Sequence, residues 1–155
     1  MRISGITDDS IVDGPGVRTV VFTQGCRHFC PGCHNPETWP FEGGREYSPE
    51  ELLSYLEENC FTRRVTFSGG DPVYQEDLAE TLRLLKERGF HIMVYTGFTW
   101  EELGEREFLK YTDLLVDGPY MEKLKTLDIP FVGSSNQRII DVRRSLAEGK
   151  PVTLK

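Results

Sequence analysis

Two hydrophobic periods alternate along the chain. Residues 17–24 (VRTVVFTQ) are dense in β-branched side chains and stop at Gly25, which predicts a strand. Residues 49–59 change to helical spacing. Leu52, Leu53 and Leu56 share a face, Ser48 stands where an N-cap belongs, Pro49 takes the first position, and Glu51 follows three residues after Ser48. A short strand is predicted over 65–68, ending at Gly69-Gly70. The clearest helix runs over 75–88, with Leu78, Leu82 and Leu85 on one side and Gly89 at the C-terminal cap. Residues 91–95 form the next strand, 99–108 a helix, and 113–116 a fourth strand. The tail predicts a strand near 138–140, a short helix, and a last strand near Val152.

Strands alternating with helices of about 10–14 residues build βαβ units and a parallel sheet. A complete eight-stranded barrel takes about 250 residues, and this chain has 155. The expectation is one α/β domain over residues 1–155: an open, partial TIM-type (β/α) barrel of parallel strands. Such sheets carry their functional loops at the carboxyl ends of strands. Gly25-Cys26, Gly69-Gly70-Asp71, Thr96-Gly97 and Asp117-Gly118 all follow predicted strands and should meet on one edge. The open side would admit a loop of another protein.

Composition narrows the function classes. The chain is 38% hydrophobic and 28% charged, ordinary for a soluble globular protein, and its formal net charge is −7. A nucleic-acid backbone needs clustered Lys and Arg, so it is not the expected partner. No apolar run reaches the roughly 18 residues of a membrane helix, and the first residues lack the apolar core of a secretory signal. A cytoplasmic protein is expected. Three of its four cysteines fall within eight residues, and clustered thiols in a reducing compartment point to metal or redox chemistry rather than disulfides.

The segment is Cys26-Arg27-His28-Phe29-Cys30-Pro31-Gly32-Cys33, a C-x3-C-x2-C spacing. Three thiolates on one short loop can hold three corners of a cuboidal 4Fe–4S cluster, whose ordinary sites use four cysteines. The fourth iron then stays open to a small ligand. Two other readings remain: a Cys3His zinc site with His28 or His34 as the fourth ligand, and three buried cysteines acting as small hydrophobes. No second Cys/His cluster follows to complete a zinc site, and His34 directly adjoins Cys33. Cys60 reads as a buried hydrophobe and His91 as structural.

Other clusters support a site. In Ser68-Gly69-Gly70-Asp71-Pro72 the glycines allow backbone carbonyls to approach a ligand such as an ammonium group. Asp71 and Pro72 also fit a helix cap. Asp117, at a strand end, suits a cofactor-orienting or cation-holding role, or simply an Asp-Gly turn. Asp13-Gly14-Pro15-Gly16 is a tight turn. Residues 133–138 (GSSNQR) form a polar loop entering a strand.

At the cysteine loop the chain resembles the radical S-adenosylmethionine superfamily. The resemblance implies that Cys26, Cys30 and Cys33 bind a 4Fe–4S cluster and that S-adenosylmethionine occupies the open iron. Electron transfer then releases a 5′-deoxyadenosyl radical, which abstracts a hydrogen atom. It implies that Gly69, Gly70 and Asp71 contact the methionine amino group, and that backbone of Gly32, Cys33 and His34 touches the adenine. Many members carry an aromatic residue where Gly32 stands here. The Asp13–Arg18 segment (DGPGVR) is similar to that of glycyl radical enzyme activases, which implies that Asp13 contacts the loop bearing the target glycine. Residues 30–39, Tyr95-Thr96-Gly97, GSSNQR and the chain length resemble the activating proteins of anaerobic ribonucleoside-triphosphate reductase. That narrower resemblance implies the reductase large subunit as partner and reduced flavodoxin as electron donor. Activation of another glycyl radical enzyme, such as a formate-lyase type, a small-molecule radical enzyme, and a zinc-stabilised interaction module are the rivals.

Overall fold

The computed structural model describes residues 1–33 and 35–154. Seven strands form one sheet: β1 (Arg2–Ser10), β2 (Arg18–Thr23), β3 (Arg45–Glu46), β4 (Arg64–Gly69), β5 (His91–Tyr95), β6 (Leu114–Asp117) and β7 (Arg138–Asp141). The helices are α1 (Pro49–Asn59), α2 (Leu78–Glu87), α3 (Trp100–Leu103) and α4 (Val142–Glu148). Among the described residues, no helix is long and apolar enough to cross a membrane.

The strand order is β3-β1-β2-β4-β5-β6-β7. The central run β2-β4-β5-β6 is parallel, as expected, with Val21 opposite Phe67 and Phe67 opposite Val94. The flanks are antiparallel, against the expectation of a parallel sheet throughout. Chain length explains both ends. Parallel neighbours need a crossover, usually helical. Only residues 11–17 join β1 to β2, and the stretch between β6 and β7 holds a single 3₁₀ turn, Glu122–Leu124.

β1 leaves little trace in the hydropathy pattern. Of its nine residues only Ile3 and Ser10 are buried, and two register shifts against β2 break the two-residue period. The expected helix over 99–108 is shorter. Thr99 caps α3 through a box with Glu102, but Gly104 turns to φ +60° and ends it, and the chain resumes as the 3₁₀ turn Glu107–Tyr111. The last predicted strand is one bridge, Ile140 to Thr153.

The two sheet faces differ. On one, Val21, Val65, Phe67, Ile92, Val94 and Leu115 pack against α1 and α2 through Leu52, Leu56, Leu78, Leu82 and Leu85. On the other, Met93, Leu114 and Val116 pack beside Ile139 of the neighbouring strand and against Phe131 and Val132. Among the described residues, no helix packs on this second cluster, and Tyr95, Phe131 and Val132 beside it also line the site cavity.

Candidate active site

Four loops leave the carboxyl ends of β2, β4, β5 and β6 side by side, and all four line one cavity of about 330 Å³. Its wall includes Cys26, Cys30 and Cys33 from the first loop, Ser68, Gly69 and Gly70 from the second, Thr96 and Gly97 from the third, and Gly118 and Tyr120 from the fourth. Asp13, Gly133 and Gln137 also reach it. The expected convergence of strand-end loops is thus present.

Backbone hydrogen bonds shape the cysteine loop. Gly25 N–H donates to Thr38 O (2.7 Å) and Cys26 N–H to Trp39 O (3.1 Å), while Cys33 N–H closes a turn on Cys30 O (3.1 Å). Phe29 takes a left-handed φ of +50°, turning the chain between Cys26 and Cys30. Its ring meets Trp39 edge-on at 5.3 Å. Cys26 is buried, and Cys30 and Cys33 are partly exposed. Burial pushes the Cys26 thiol up to about 11 and raises that of Cys30. Without metal the Cys26 and Cys30 sulfurs stay protonated, so loading them with iron releases protons. Asn35 N–H points at Cys33 Sγ (3.5 Å).

The second loop packs against the first. Gly70 N–H donates to Thr23 O (2.8 Å) and Asp71 N–H to Gly25 O (2.9 Å). Gly69 has φ +100°, and a Cβ there would run into the Thr23 backbone. A Cβ on Gly70 would lie 2.5 Å from Gly25 O. Only glycines allow this approach, and they leave backbone rather than side chains beside the thiols.

The donor set fits an iron–sulfur cluster: three soft sulfur ligands from one loop face one cavity, with a side-chain-free cradle beside them. Among the described residues, no three Cys, His, Asp or Glu side chains gather as ligands of a single ion. A cuboidal cluster spreads its thiolates more widely than one tetrahedral ion does.

The remaining expected site residues divide. Asp13 is on the wall; its Oδ2 accepts from Ser10 Oγ (2.6 Å) and its carbonyl from Thr66 Oγ1 (2.8 Å). Gly32, Asp71 and Asp117 are not among the wall residues described. Gly32 lies against the Glu122 carboxylate, which fills the space a side chain would take. Asp71, 1% exposed, caps the 3₁₀ turn Pro72–Tyr74 through Val73 N–H (3.0 Å) and accepts from His28, Thr96 and Gly97. The helix-capping reading of Asp71 therefore holds in its 3₁₀ form. Asp117, equally buried, accepts from Trp100 N–H (2.8 Å) and forms an ion pair with Arg138. His34 lies outside the described residues. Cys60 is buried, its thiol on Arg64 O (3.3 Å).

GSSNQR is a clamp. Gln137 Oε1 accepts from Gly133 and Ser134 N–H (2.9 and 3.1 Å), and its amide donates to Gly118 O (3.1 Å). Asn136 donates to Pro119 O (2.8 Å), and Ser134 Oγ accepts from Met121 N–H (3.2 Å). The run holds the loop after β6 over the cavity. Tyr95 and Tyr120 also line the wall, and no spacing in the sequence marks them for it. Burial raises the Tyr95 phenol well above its ordinary range, and it donates to Phe131 O (2.6 Å), anchoring the covering segment.

Comparison with known proteins agrees with this geometry. A family described as a 4Fe-4S single cluster domain matches residues 12–140. The anaerobic ribonucleoside-triphosphate reductase-activating protein of Enterobacteria phage T4 is 36% identical over 147 residues, 90% of this chain and 93% of the relative. That of Escherichia coli K12 is 32% identical over 144 residues, 86% and 94% of the two chains. The pyruvate formate-lyase-activating enzyme of Clostridium pasteurianum is 46% identical over 122 residues, but the match covers 74% of this chain and half of that enzyme. Among solved structures, QueE from Escherichia coli shares the fold, with a TM-score of 0.54 at 19% identity over 72% of this chain and 67% of QueE. With three thiols and a glycine cradle on one cavity, a 4Fe–4S domain spanning most of the sequence, and near end-to-end alignment with these relatives, the chain belongs to the family of anaerobic ribonucleoside-triphosphate reductase-activating proteins.

Proposed function

We propose that this chain installs a glycyl radical on anaerobic ribonucleoside-triphosphate reductase, using a reduced 4Fe–4S cluster and S-adenosylmethionine. The cofactors follow from the family. The observation that carries the site assignment is the convergence of Cys26, Cys30 and Cys33 with Gly69 and Gly70 on one cavity. When bound, the cluster and S-adenosylmethionine supply the one-electron cleavage that yields methionine and a 5′-deoxyadenosyl radical.

The protein's part is binding, orientation and exclusion of water. Cys26, Cys30 and Cys33 hold the cluster. The carbonyls of Gly69 and Gly70 receive the methionine ammonium, and backbone at Cys33 borders the adenine; the adenine role expected of His34 falls outside the described residues. Asp13, on the same wall, meets the reductase segment that carries the target glycine. Asp71 and Asp117 act at one remove, through the loops their carboxylates hold. Keeping the glycine Cα beside the radical carbon is a positioning task. We read the sheet as an open partial barrel in one domain over residues 1–155, its helix-free face receiving the reductase. Reduced flavodoxin is the proposed electron donor and the cytoplasm, where thiols stay reduced, the location.

Anaerobic reconstitution with iron and sulfide, reduction, and addition of S-adenosylmethionine should give 5′-deoxyadenosine, and Cys26→Ala should abolish it while the domain stays folded. Normal product from that variant would sink the cluster assignment. The identity to a formate-lyase activating enzyme supports a second reading, in which the target is a formate-lyase. Offering each enzyme separately and recording the glycyl radical by electron paramagnetic resonance decides between them. The reductase should acquire the signal.

A further inference from the structure

His28 stands midway between Cys26 and Cys30, so its ring sits at the root of the proposed cluster site. Its Nε2 lies 2.6 Å from Asp71 Oδ2. Facing a carboxylate, that nitrogen carries the hydrogen and donates. The same oxygen accepts from Thr96 Oγ1 (2.8 Å) and Gly97 N–H (2.9 Å), and Oδ1 accepts from Val73 N–H (3.0 Å). One carboxylate, 1% exposed, therefore ties together the loops after β2, β4 and β5.

The packing leaves the imidazole little freedom. Phe98 meets it edge-on at 4.7 Å and Tyr74 lies at 5.7 Å. A Cβ on Gly97 would come within 2.7 Å of the ring, so the histidine occupies space that only glycine leaves open. Asp71 directly follows Gly70, and His28 is two residues from each of two thiols. A displacement at either end moves cradle and thiols relative to each other.

We propose that His28 and Asp71 are a positioning pair that fixes the cysteine loop in register with the Gly69-Gly70 cradle, so that cluster and S-adenosylmethionine meet at the correct separation. This rests on the function proposed above. Asp71 lies off the cavity wall and His28 on it; in this proposal the pair acts through the two loops it joins. A buried carboxylate with several charge-assisted bonds is a stiff joint, and stiffness between two ligand sites is what the reaction geometry needs.

The test uses the reconstituted full chain. His28→Leu removes the donor, His28→Asn keeps an amide too short to reach Asp71, and His28→Gln keeps one of closer length. Asp71→Ala removes the acceptor. Iron and sulfide content, melting temperature, the resonance spectrum of the reduced cluster titrated with S-adenosylmethionine, and the KM and kcat for 5′-deoxyadenosine are measured. His28→Leu, His28→Asn and Asp71→Ala should load iron as the wild type does. They should need about tenfold more S-adenosylmethionine to change the spectrum and lose about tenfold in kcat. His28→Gln should stay within about threefold of wild type on both. Wild-type titrations in the broken pairs would overturn the proposal. So would a folded His28→Asn that binds no iron, which would make the pair an assembly element instead. A wild-type cluster whose spectrum ignores S-adenosylmethionine would overturn the proposed function and this inference together.

Discussion

Arg18 carries a guanidinium into the interior at 1% exposure, and its partners among the described residues are neutral. It donates to Thr66 Oγ1 (2.8 Å), Pro15 O (2.9 Å), Val65 O (3.0 Å) and His91 O (3.2 Å), and lies 2.9 Å from His91 Nδ1. Burial is the main cause lowering its pKa, to about 10. Since Arg18 only donates, His91 Nδ1 must accept, and the imidazole is neutral in the fold. Burial first, then the Arg18 charge, lowers the His91 pKa below 6.5; Arg64 and Lys86 act the same way and Asp113 opposes them. The unfolded chain thus binds more protons than the folded one below pH 6.5, and stability falls as pH drops from there toward the folded value. Denaturation midpoints should decline as the pH falls below 6.5, with a flatter profile in His91→Gln, whose amide oxygen still accepts. Identical profiles would rule this out. From the sequence His91 was legible as structural, but its partner was not. Arg18 and His91 are joined only once β2, β4 and β5 align, and nothing in residue spacing encodes that. The same holds at the site. Three thiols within eight residues announce themselves, whereas the carboxylate of Asp71 is a site feature or a strut depending on where His28 and Thr96 arrive in space.

At the scale of elements, local chemistry made the best-read segment. Pro49–Asn59 was predicted with its true bounds because its signals lie within four residues: Ser48 Oγ accepts from Glu51 N–H (3.0 Å) and Glu51 Oε1 accepts from Ser48 N–H (2.9 Å). Ser48→Ala should cost about 1 kcal/mol in chemical denaturation, and no measurable loss would show the box to be dispensable. The central strands were legible for a different reason. Buried on both faces, they read as β-branched runs. β1 was missed because its residues are mostly exposed and its register slips twice. The helix expected over 99–108 ends early at Gly104, whose φ of +60° breaks it after Leu103. Antiparallel edges follow from connection type, which hydropathy alone does not disclose.

For the molecule as a whole, the two sheet faces carry unequal protection. Helices α1 and α2 bury the large apolar cluster, while the opposite face depends on the segment between β6 and β7. That segment keeps Met121, Leu124, Leu127 and Ile129 exposed, with Leu127 at 91%. Regions with few buried contacts open first. Amide exchange over residues 121–130 should therefore run at least about a hundredfold faster than in β4 and β5; equal protection would contradict this account of the covering segment. The central strands also lie across the sheet in the order they are made, β2, β4, β5, β6. At about 4.8 Å per step, the first and last of their loops stand about 14 Å apart. The loop proposed to hold the cluster sits at the early end of this ruler, and the loop after β6, with its GSSNQR clamp, at the late end. The two ends of the ruler nevertheless meet, because Glu122 of the late loop lies against Gly32 of the cysteine loop; any rewriting of the late stretch has to keep that contact if the early one is to stay in place.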